Sequence, residues 1–279
     1  MIKNILIIGQ NSYIGNSFEE WILENNKNEF KINKISAKDN AWEIMDFSNY
    51  DVILCLAAIV HSKNASKELY KKINTDLPIK IAKKAKKEGV KQFIFLSTMN
   101  VYGKDSGVIS KSTEQSPTNY YGISKLEAEK ALKEIHTEKF KVLILRPPMV
   151  YGINCPGNYS KLSNLLNQIS VFPITNNSRS AIYIGNLSYF IFKTIESEIH
   201  GILHPQNNEY LRITDIISVI EELKNKRIFK IKVPKKLMGL SSITNKLYGD
   251  LKYDQNIDEY KIQLPFSVID TFKITEKNK

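Results

Sequence analysis

The 279-residue chain holds only two cysteines and four histidines, and four of its 40 basic residues are arginine. It also lacks any run of about 18 uncharged apolar residues, the minimum for crossing a bilayer as a helix. Each scarcity excludes something. Cys55 and Cys155 lie far apart in unlike contexts, so no disulfide framework is implied and a reducing cytoplasm is the compartment expected. His136, His200 and His204 show no ligand spacing, so no metal site is expected. The opening MIKNILIIGQ has a short apolar stretch but no small-residue cleavage site. It reads as a first strand and not as a signal peptide. Internal repeats, low-complexity tracts and long linkers are missing as well.

What is present begins with charge. The formal net charge is +11, which by itself would admit nucleic acid as a partner. Nearly all of the excess is lysine strung along helical stretches such as IAKKAKKEGVK, the pattern of a solvated face. No nucleic-acid partner is expected. Arginine is the better bidentate ligand for phosphate, so Arg146, Arg179, Arg212 and Arg227 each merit inspection.

Apolar residues make up 42% of the chain, enough for a substantial core. The apolar runs at 3–9, 51–58, 90–97 and 141–148 read as buried strands, 30–38 as a strand by alternation, and 42–45 as a short further strand. Helical stretches lie between them, at 14–25, across 66–89 and at 124–136. Pro78 should kink the second of these or restart it near Asp76. Regular alternation predicts an α/β fold, a doubly wound parallel sheet with right-handed crossovers. Residues 1–150 are expected to form a dinucleotide-binding domain. Residues 151–279, with shorter helices at 162–169, 186–196 and 213–224, are expected to form mostly a smaller α/β lobe. The stretch 181–205 is expected to return to the first domain.

Three motifs carry chemistry. GQNSYIG, with Gly9, Ser12 and Gly15, follows the first strand and opens a helix. Backbone amides there can hold a pyrophosphate, which makes Gly9, Asn11, Ser12, Tyr13 and Ile14 cofactor candidates. An acid at the end of the second strand would bind a ribose 2′-hydroxyl. Ser36 and Lys38 stand about there instead, a pair suited to a 2′-phosphate and thus to NADP over NAD, although Asp39 could still be the acid. SPTNYYGISKLEAEK sets Tyr121 and Lys125 four residues apart, on one helical face. A phenol with an ordinary pKa near about 10 is a poor base at neutral pH, and a neighbouring ammonium should lower it. Tyr120 competes, but its partner at the same spacing is Ser124.

The glycine turn, LAA at 56–58, ST..VYG at 97–103, YGISK at 121–125 and RPPMVYG at 146–152 occur in this order. Together they resemble the extended short-chain dehydrogenase/reductase superfamily, in particular its NAD(P)-dependent sugar-nucleotide epimerases, dehydratases and reductases. The resemblance implies a Rossmann-type fold and a catalytic triad of Thr98, Tyr121 and Lys125. It places Asp46 and Phe47 at the adenine. Leu56, Ala57, Ala58 and Ser97 would line the cofactor, Lys125 would also hold its ribose, and Pro148 would face the nicotinamide. Asn74 would support the site. Thr98, Met99, Asn100 and Met149 would meet the sugar, Asn158 the diphosphate or uridine of a UDP-sugar, Arg179 its diphosphate, and His61 could touch substrate. Arg146, trailing a buried strand, reads as structural. The resemblance also implies that helices near Tyr70 and Tyr121 pair subunits in a homodimer.

The loop after Thr98 narrows the reaction. A 4,6-dehydratase needs an acid and a base, and similar dehydratases carry an Asp-Glu pair directly after the catalytic threonine, where Met99 and Asn100 stand here. Epimerisation at C3 or C5 would also need a further acid/base. Two reactions require only tyrosine, lysine and hydride. The one expected is NAD(P)H-dependent reduction of the C4 keto group of a UDP-linked 4-keto-6-deoxy-N-acetylhexosamine, in bacterial surface polysaccharide (capsule) biosynthesis. The alternative is a UDP-hexose or UDP-N-acetylhexosamine 4-epimerase with tightly bound NAD. A cofactor-binding protein without catalysis is disfavoured by the intact Tyr121 and Lys125.

Overall fold

A computed structural model describes residues 2–26, 28–38, 40–60, 65–156, 158–233 and 249–277. His61 and Asp39 lie outside the described residues. The chain divides into two compact units, one of Met1–Gly103, Thr113–Pro148 and Leu187–Pro205, the other of Lys104–Ser112, Met149–Asn186 and Gln206–Lys279.

The first unit is built on a six-stranded sheet. Its strands are β1 (Lys3–Ile8), β2 (Phe30–Ile35), β3 (Val52–Cys55), β4 (Gln92–Leu96), β6 (Lys141–Leu145) and β10 (Gly201–Leu203). The order across the sheet is β2–β1–β3–β4–β6–β10, and every pairing is parallel. Parallel strands are covered on both faces, which is why the central ones are apolar at consecutive positions. Ile5, Leu6, Ile7 and Ile8 of β1 and Ile53, Leu54 and Cys55 of β3 are fully buried. The crossovers are α1 (Tyr13–Asn25), α4 (Leu77–Lys87), α5 (Tyr120–Ile135) and α7 (Ile184–Glu196), the last counted to this unit from Leu187. This is the α/β, Rossmann-type parallel sheet that the alternation called for.

The stretch 42–45 is not a strand. Its residues 42–44 belong to α2 (Ala41–Ile44), a single helical turn entered through Asn40 in the left-handed region. A strand would put Trp42 and Ile44 on one face. Here Trp42 is 4% exposed, in the core with Phe47 and Ile81, and Ile44 is 91% exposed. Two residues in a helix differ by about 200°, so one turn buries the indole and discards the isoleucine.

The helical stretch before Pro78 also has structure that its composition hides. A turn of α3 (Lys67–Tyr70) runs into a π-helical segment, Lys71–Asp76, and α4 restarts with Pro78 in its first turn. The wider turn faces Asn74 and Thr75 inward. Asn74 accepts from the amide of Ile59 and donates to its carbonyl and to Ser124 Oγ, and Thr75 Oγ1 donates to the carbonyl of Ser124.

Among its described residues the second unit holds three two-stranded parallel sheets: β5 (Gly107–Ile109) with β12 (Leu251–Tyr253), β7 (Met149–Tyr151) with β9 (Ala181–Tyr183), and β8 (Val171–Ile174) with β11 (Phe229–Lys232). Helices among its described residues are α6 (Asn158–Gln168), α8 (Ile213–Lys224) and α9 (Val268–Lys277). An aromatic cluster fixes the last of these: the rings of Tyr151 and Phe272 are 5.4 Å apart, those of Tyr159 and Phe272 5.9 Å. Glu276, 1% exposed, accepts hydrogen bonds from Tyr159 and Ser163.

Candidate active site

In the sheet, β2 leads away from β1 on one side and β3 lies on the other, so the order reverses beside β1. In open parallel sheets ligands bind at the carboxyl ends of the strands beside such a reversal. Two loops meet there, 9–12 after β1 and 56–58 after β3. Gly9 has φ +124°, and a Cβ on it would stand 3.2 Å from the amide nitrogen of Ala57 and 3.3 Å from the carbonyl carbon of Leu56. Glycine is therefore required both for the turn and for the approach of the second loop. Gly15 packs α1 just as closely, since its Cβ would stand 3.1 Å from methyl groups of Ile7 and Leu56. Ser12 caps α1, accepting from the amide of Gly15. The first-turn amides of α1 are those of Tyr13, Ile14 and Gly15, the anion-binding arrangement of a helix start. The cradle fits a dinucleotide.

The other cofactor candidates of this unit are placed as follows. Ser36, half-buried, follows β2 and accepts from the amide of the exposed Lys38. Asp46 is exposed, and the Ser48 amide bonded to its carboxylate holds its pKa below the usual range. Phe47 departs from the expectation. Its ring is fully buried beneath the ammonium of Lys84, and its amide donates to Glu88 at 2.7 Å, so ring and amide are both committed to the fold. Leu56 and Ala57 are buried and Ala58 half-buried. Ser97 also departs: it is 2% exposed and its hydroxyl donates inward to Glu129. Pro148 is buried at the end of the unit.

Thr98, Tyr121 and Lys125 come together in this unit. Thr98 lies two residues past β4 and caps a 3-10 turn, Met99–Tyr102, its Oγ1 accepting from the amide of Asn100 at 3.2 Å. The same hydroxyl stands close enough to the phenol of Tyr121 to favour its ionised form. Two glycines make this approach possible. A Cβ on Gly122 would stand 2.7 Å from the carbonyl oxygen of Asn100, and one on Gly103, at φ +63°, 1.8 Å from the carbonyl oxygen of Ser116. Asn119 caps α5 through the amide of Gly122. Met99 is buried, Asn100 exposed, and Tyr120 is 51% exposed.

The electrostatics differ from the simple expectation. Lys125 is 1% exposed, and its Nζ donates to the carbonyl of Leu96 at 2.7 Å and lies 4.4 Å from the ring centre of Phe95. Burial pulls its pKa down to about 8, against the attraction of Cys55 and Glu129. The phenol of Tyr121 is not depressed. Burial pushes it up to about 12, with the Thr98 hydroxyl acting the other way. At neutral pH the pair is a protonated phenol beside an ammonium.

In the second unit, Met149 begins β7, Asn158 begins α6, and Arg179 is half-buried, its backbone paired with Leu211 in an isolated antiparallel bridge. Burial lowers the pKa of Arg179. Among the described residues no three of His, Cys, Asp and Glu cluster as a metal would need, and no helix is long and apolar enough to cross a membrane.

A family model described as NAD dependent epimerase/dehydratase family matches residues 5–188. The chain belongs to this family. Among curated relatives, a UDP-glucose 4-epimerase of Vibrio cholerae is 28% identical over 91% of this chain and 88% of its own length. An N-acetyl-α-D-glucosaminyl-diphospho-ditrans,octacis-undecaprenol 4-epimerase of Escherichia coli O157:H7 is 26% identical over 89% and 83%. The crystal structure of dTDP-4-dehydrorhamnose reductase from Bacillus anthracis in complex with NADP superposes with a TM-score of 0.74 over all of both chains, at 20% identity. That likeness speaks for the fold. Membership makes the chain an NAD(P)-dependent enzyme of the sugar-nucleotide epimerase and reductase type.

What sequence reasoning missed is the carboxylate under the loop. Glu129 is fully buried on α5, in an ion pair with Arg146. Its spacing was visible, eight residues after Tyr121 and four after Lys125 on one helix face.

Proposed function

We propose that this chain reduces the C4 keto group of a UDP-linked 4-keto-6-deoxy-N-acetylhexosamine with NADPH, in the making of a surface polysaccharide. The observation that carries the reading is the juxtaposition of the Thr98 and Tyr121 hydroxyls beside a loop, Met99 and Asn100, that has no proton-transfer group. Such a site can serve hydride chemistry at one carbon and little else. When bound, the nicotinamide supplies the hydride.

The chain's own residues do the rest. Thr98 and Tyr121 hold the C4 oxygen between two hydroxyls. Tyr121 gives its proton to that oxygen as negative charge develops there, and Lys125 stabilises the phenolate left behind. A phenol held near 12 is proton-loaded at neutral pH, the form that reduction requires. Gly9 and Asn11 to Ile14 take the pyrophosphate, Ser36 and Lys38 the 2′-phosphate. Asp46, the backbone around Phe47 and residues 56–58 line the rest of the cofactor. Ser97 enters only through its backbone, and Pro148 faces the nicotinamide. In the second unit, read as the sugar-nucleotide lobe, Met149, Asn158 and Arg179 take the UDP-sugar.

A second reading, 4-epimerisation with retained NAD, is favoured by the two 4-epimerases among the sequence relatives. It uses the same three residues but must start from the phenolate. Identification of the cofactor released from purified protein, followed by assay with a UDP-4-keto-6-deoxy sugar and NADPH, separates the two. Consumption of NADPH supports reduction. Bound NAD with exchange of C4 epimers and no net consumption supports the other.

A further inference from the structure

Beneath the uncharged loop lies a buried ion pair. Glu129 of α5 accepts from Arg146 Nε at 3.1 Å and Nη2 at 2.5 Å, and both side chains are 2% exposed or less. Neither residue is used in the reaction proposed above. Each end of the loop is tied to the pair. At one end Ser97 donates its hydroxyl to Glu129. At the other, Arg146 Nη1 donates to Tyr102 Oη at 2.7 Å, with the guanidinium 5.1 Å from the Tyr102 ring centre. Tyr102 Oη also lies 2.7 Å from His204 Nε2.

The geometry points to a positioning role: the Glu129–Arg146 pair, acting through Ser97 and Tyr102, holds Thr98 against Tyr121. The inference rests on the reading of Thr98 and Tyr121 given above. Three facts support it. Ser97 and Tyr102 bracket the four residues that include Thr98, so both ends of the turn are fixed to one anchor. Glu129 is carried by α5, the helix that bears Tyr121 and Lys125, and holds Arg146 from the end of β6, so loop and helix share one reference. Finally, a buried ion pair is a poor way to gain stability, because desolvation offsets much of its attraction and apolar replacements often do as well. A fork of fixed donors is a good way to set a geometry.

The test uses the full-length protein and the variants Tyr102→Phe and Arg146→Lys. Turnover with a UDP-4-keto-6-deoxy sugar and NADPH, the Kd for NADPH and amide hydrogen exchange of residues 97–103 are compared with the wild type. The inference predicts that kcat falls about 10- to 100-fold, the effect of a misplaced reacting group. KM and Kd should stay within about two-fold, and the amides of Asn100 and Gly103 should exchange faster while α5 keeps its protection. Lysine cannot reach both Glu129 and Tyr102, so the charge-conserving variant should not rescue kcat. If Arg146→Lys does not fold, Tyr102→Phe, which deletes one oxygen, decides alone. An unchanged kcat per folded molecule overturns the inference, whether or not exchange rises. If the wild type turns over no sugar nucleotide, the proposed function fails. Unchanged loop exchange in Tyr102→Phe then overturns the inference separately, and faster loop exchange supports it.

Discussion

The ammonium of Lys125 donates to the carbonyl oxygen of Leu96, 2.7 Å away, at the end of the strand segment that leads into Thr98. The lysine is thereby bound to the same stretch of chain that carries the threonine. Its buried pKa of about 8 has a consequence for stability. Between pH 8 and about 10.5 the unfolded chain holds a proton at this lysine that the folded chain has released, so this group makes stability rise with pH across that window. Tyr121, raised to about 12, acts oppositely but only above about pH 10. Lys125→Met should therefore gain most on the wild type in thermal stability near pH 7. That gain should shrink by roughly 3 kcal/mol toward pH 10.5, at about 1.4 kcal/mol per pKa unit. A difference in melting temperature that is flat from pH 7 to 10 would contradict the buried, depressed lysine.

Tyr121→Phe removes the proton donor and keeps the ring. Turnover should drop about 10²- to 10⁴-fold, the usual worth of a general acid, while NADPH binding by fluorescence titration stays close to the wild type. A parallel loss of cofactor affinity would mean that the hydroxyl serves binding instead.

Gly122→Ala tests the close approach of α5 to the loop. Alanine favours a helix over glycine by about 1 kcal/mol, so propensity alone predicts a more stable protein. The contact at 2.7 Å from the Asn100 carbonyl predicts the reverse. Denaturant unfolding should show a loss of about 1–3 kcal/mol, as for other overpacked sites, with reduced kcat. A stabilised and fully active variant would show that the loop can yield.

Glu129→Met leaves the Arg146 guanidinium buried without its carboxylate. Loss of one partner of such a pair costs about 3–5 kcal/mol, readable as a lowered midpoint in urea. The double variant Glu129→Met with Arg146→Met should recover much of that stability without recovering kcat.

These relationships also show how far the residues alone could be read. The central strands were legible because burial on both faces leaves a continuous apolar run, as in β1 and β3. The short pairs of the second unit were not. Strands of three or four residues such as β5 and β12 give too little periodicity, and their partners lie more than a hundred residues away. Trp42 misled because a bulky apolar residue two places from another mimics a strand, while only the packed structure shows which of the two goes inside. At the candidate site, the spacing of Tyr121 and Lys125 put both on one helical face. The direction of the Tyr121 pKa was misjudged, because burial, invisible in spacing, outweighs the neighbouring charge. Arg146 was read as structural from the strand it follows. Its tie to Tyr102, and through Tyr102 to His204, depends on loops meeting in space and leaves no trace in sequence.

The most direct test of the central claim is a stoichiometry. Purified protein, stripped of any bound cofactor, is given a UDP-linked 4-keto-6-deoxy-N-acetylhexosamine and NADPH, and both are followed together. The account predicts one NADPH oxidised for each keto sugar reduced at C4. Tightly held NAD, interconversion of C4 epimers of an unmodified UDP-sugar and no net oxidation of NADPH would contradict it.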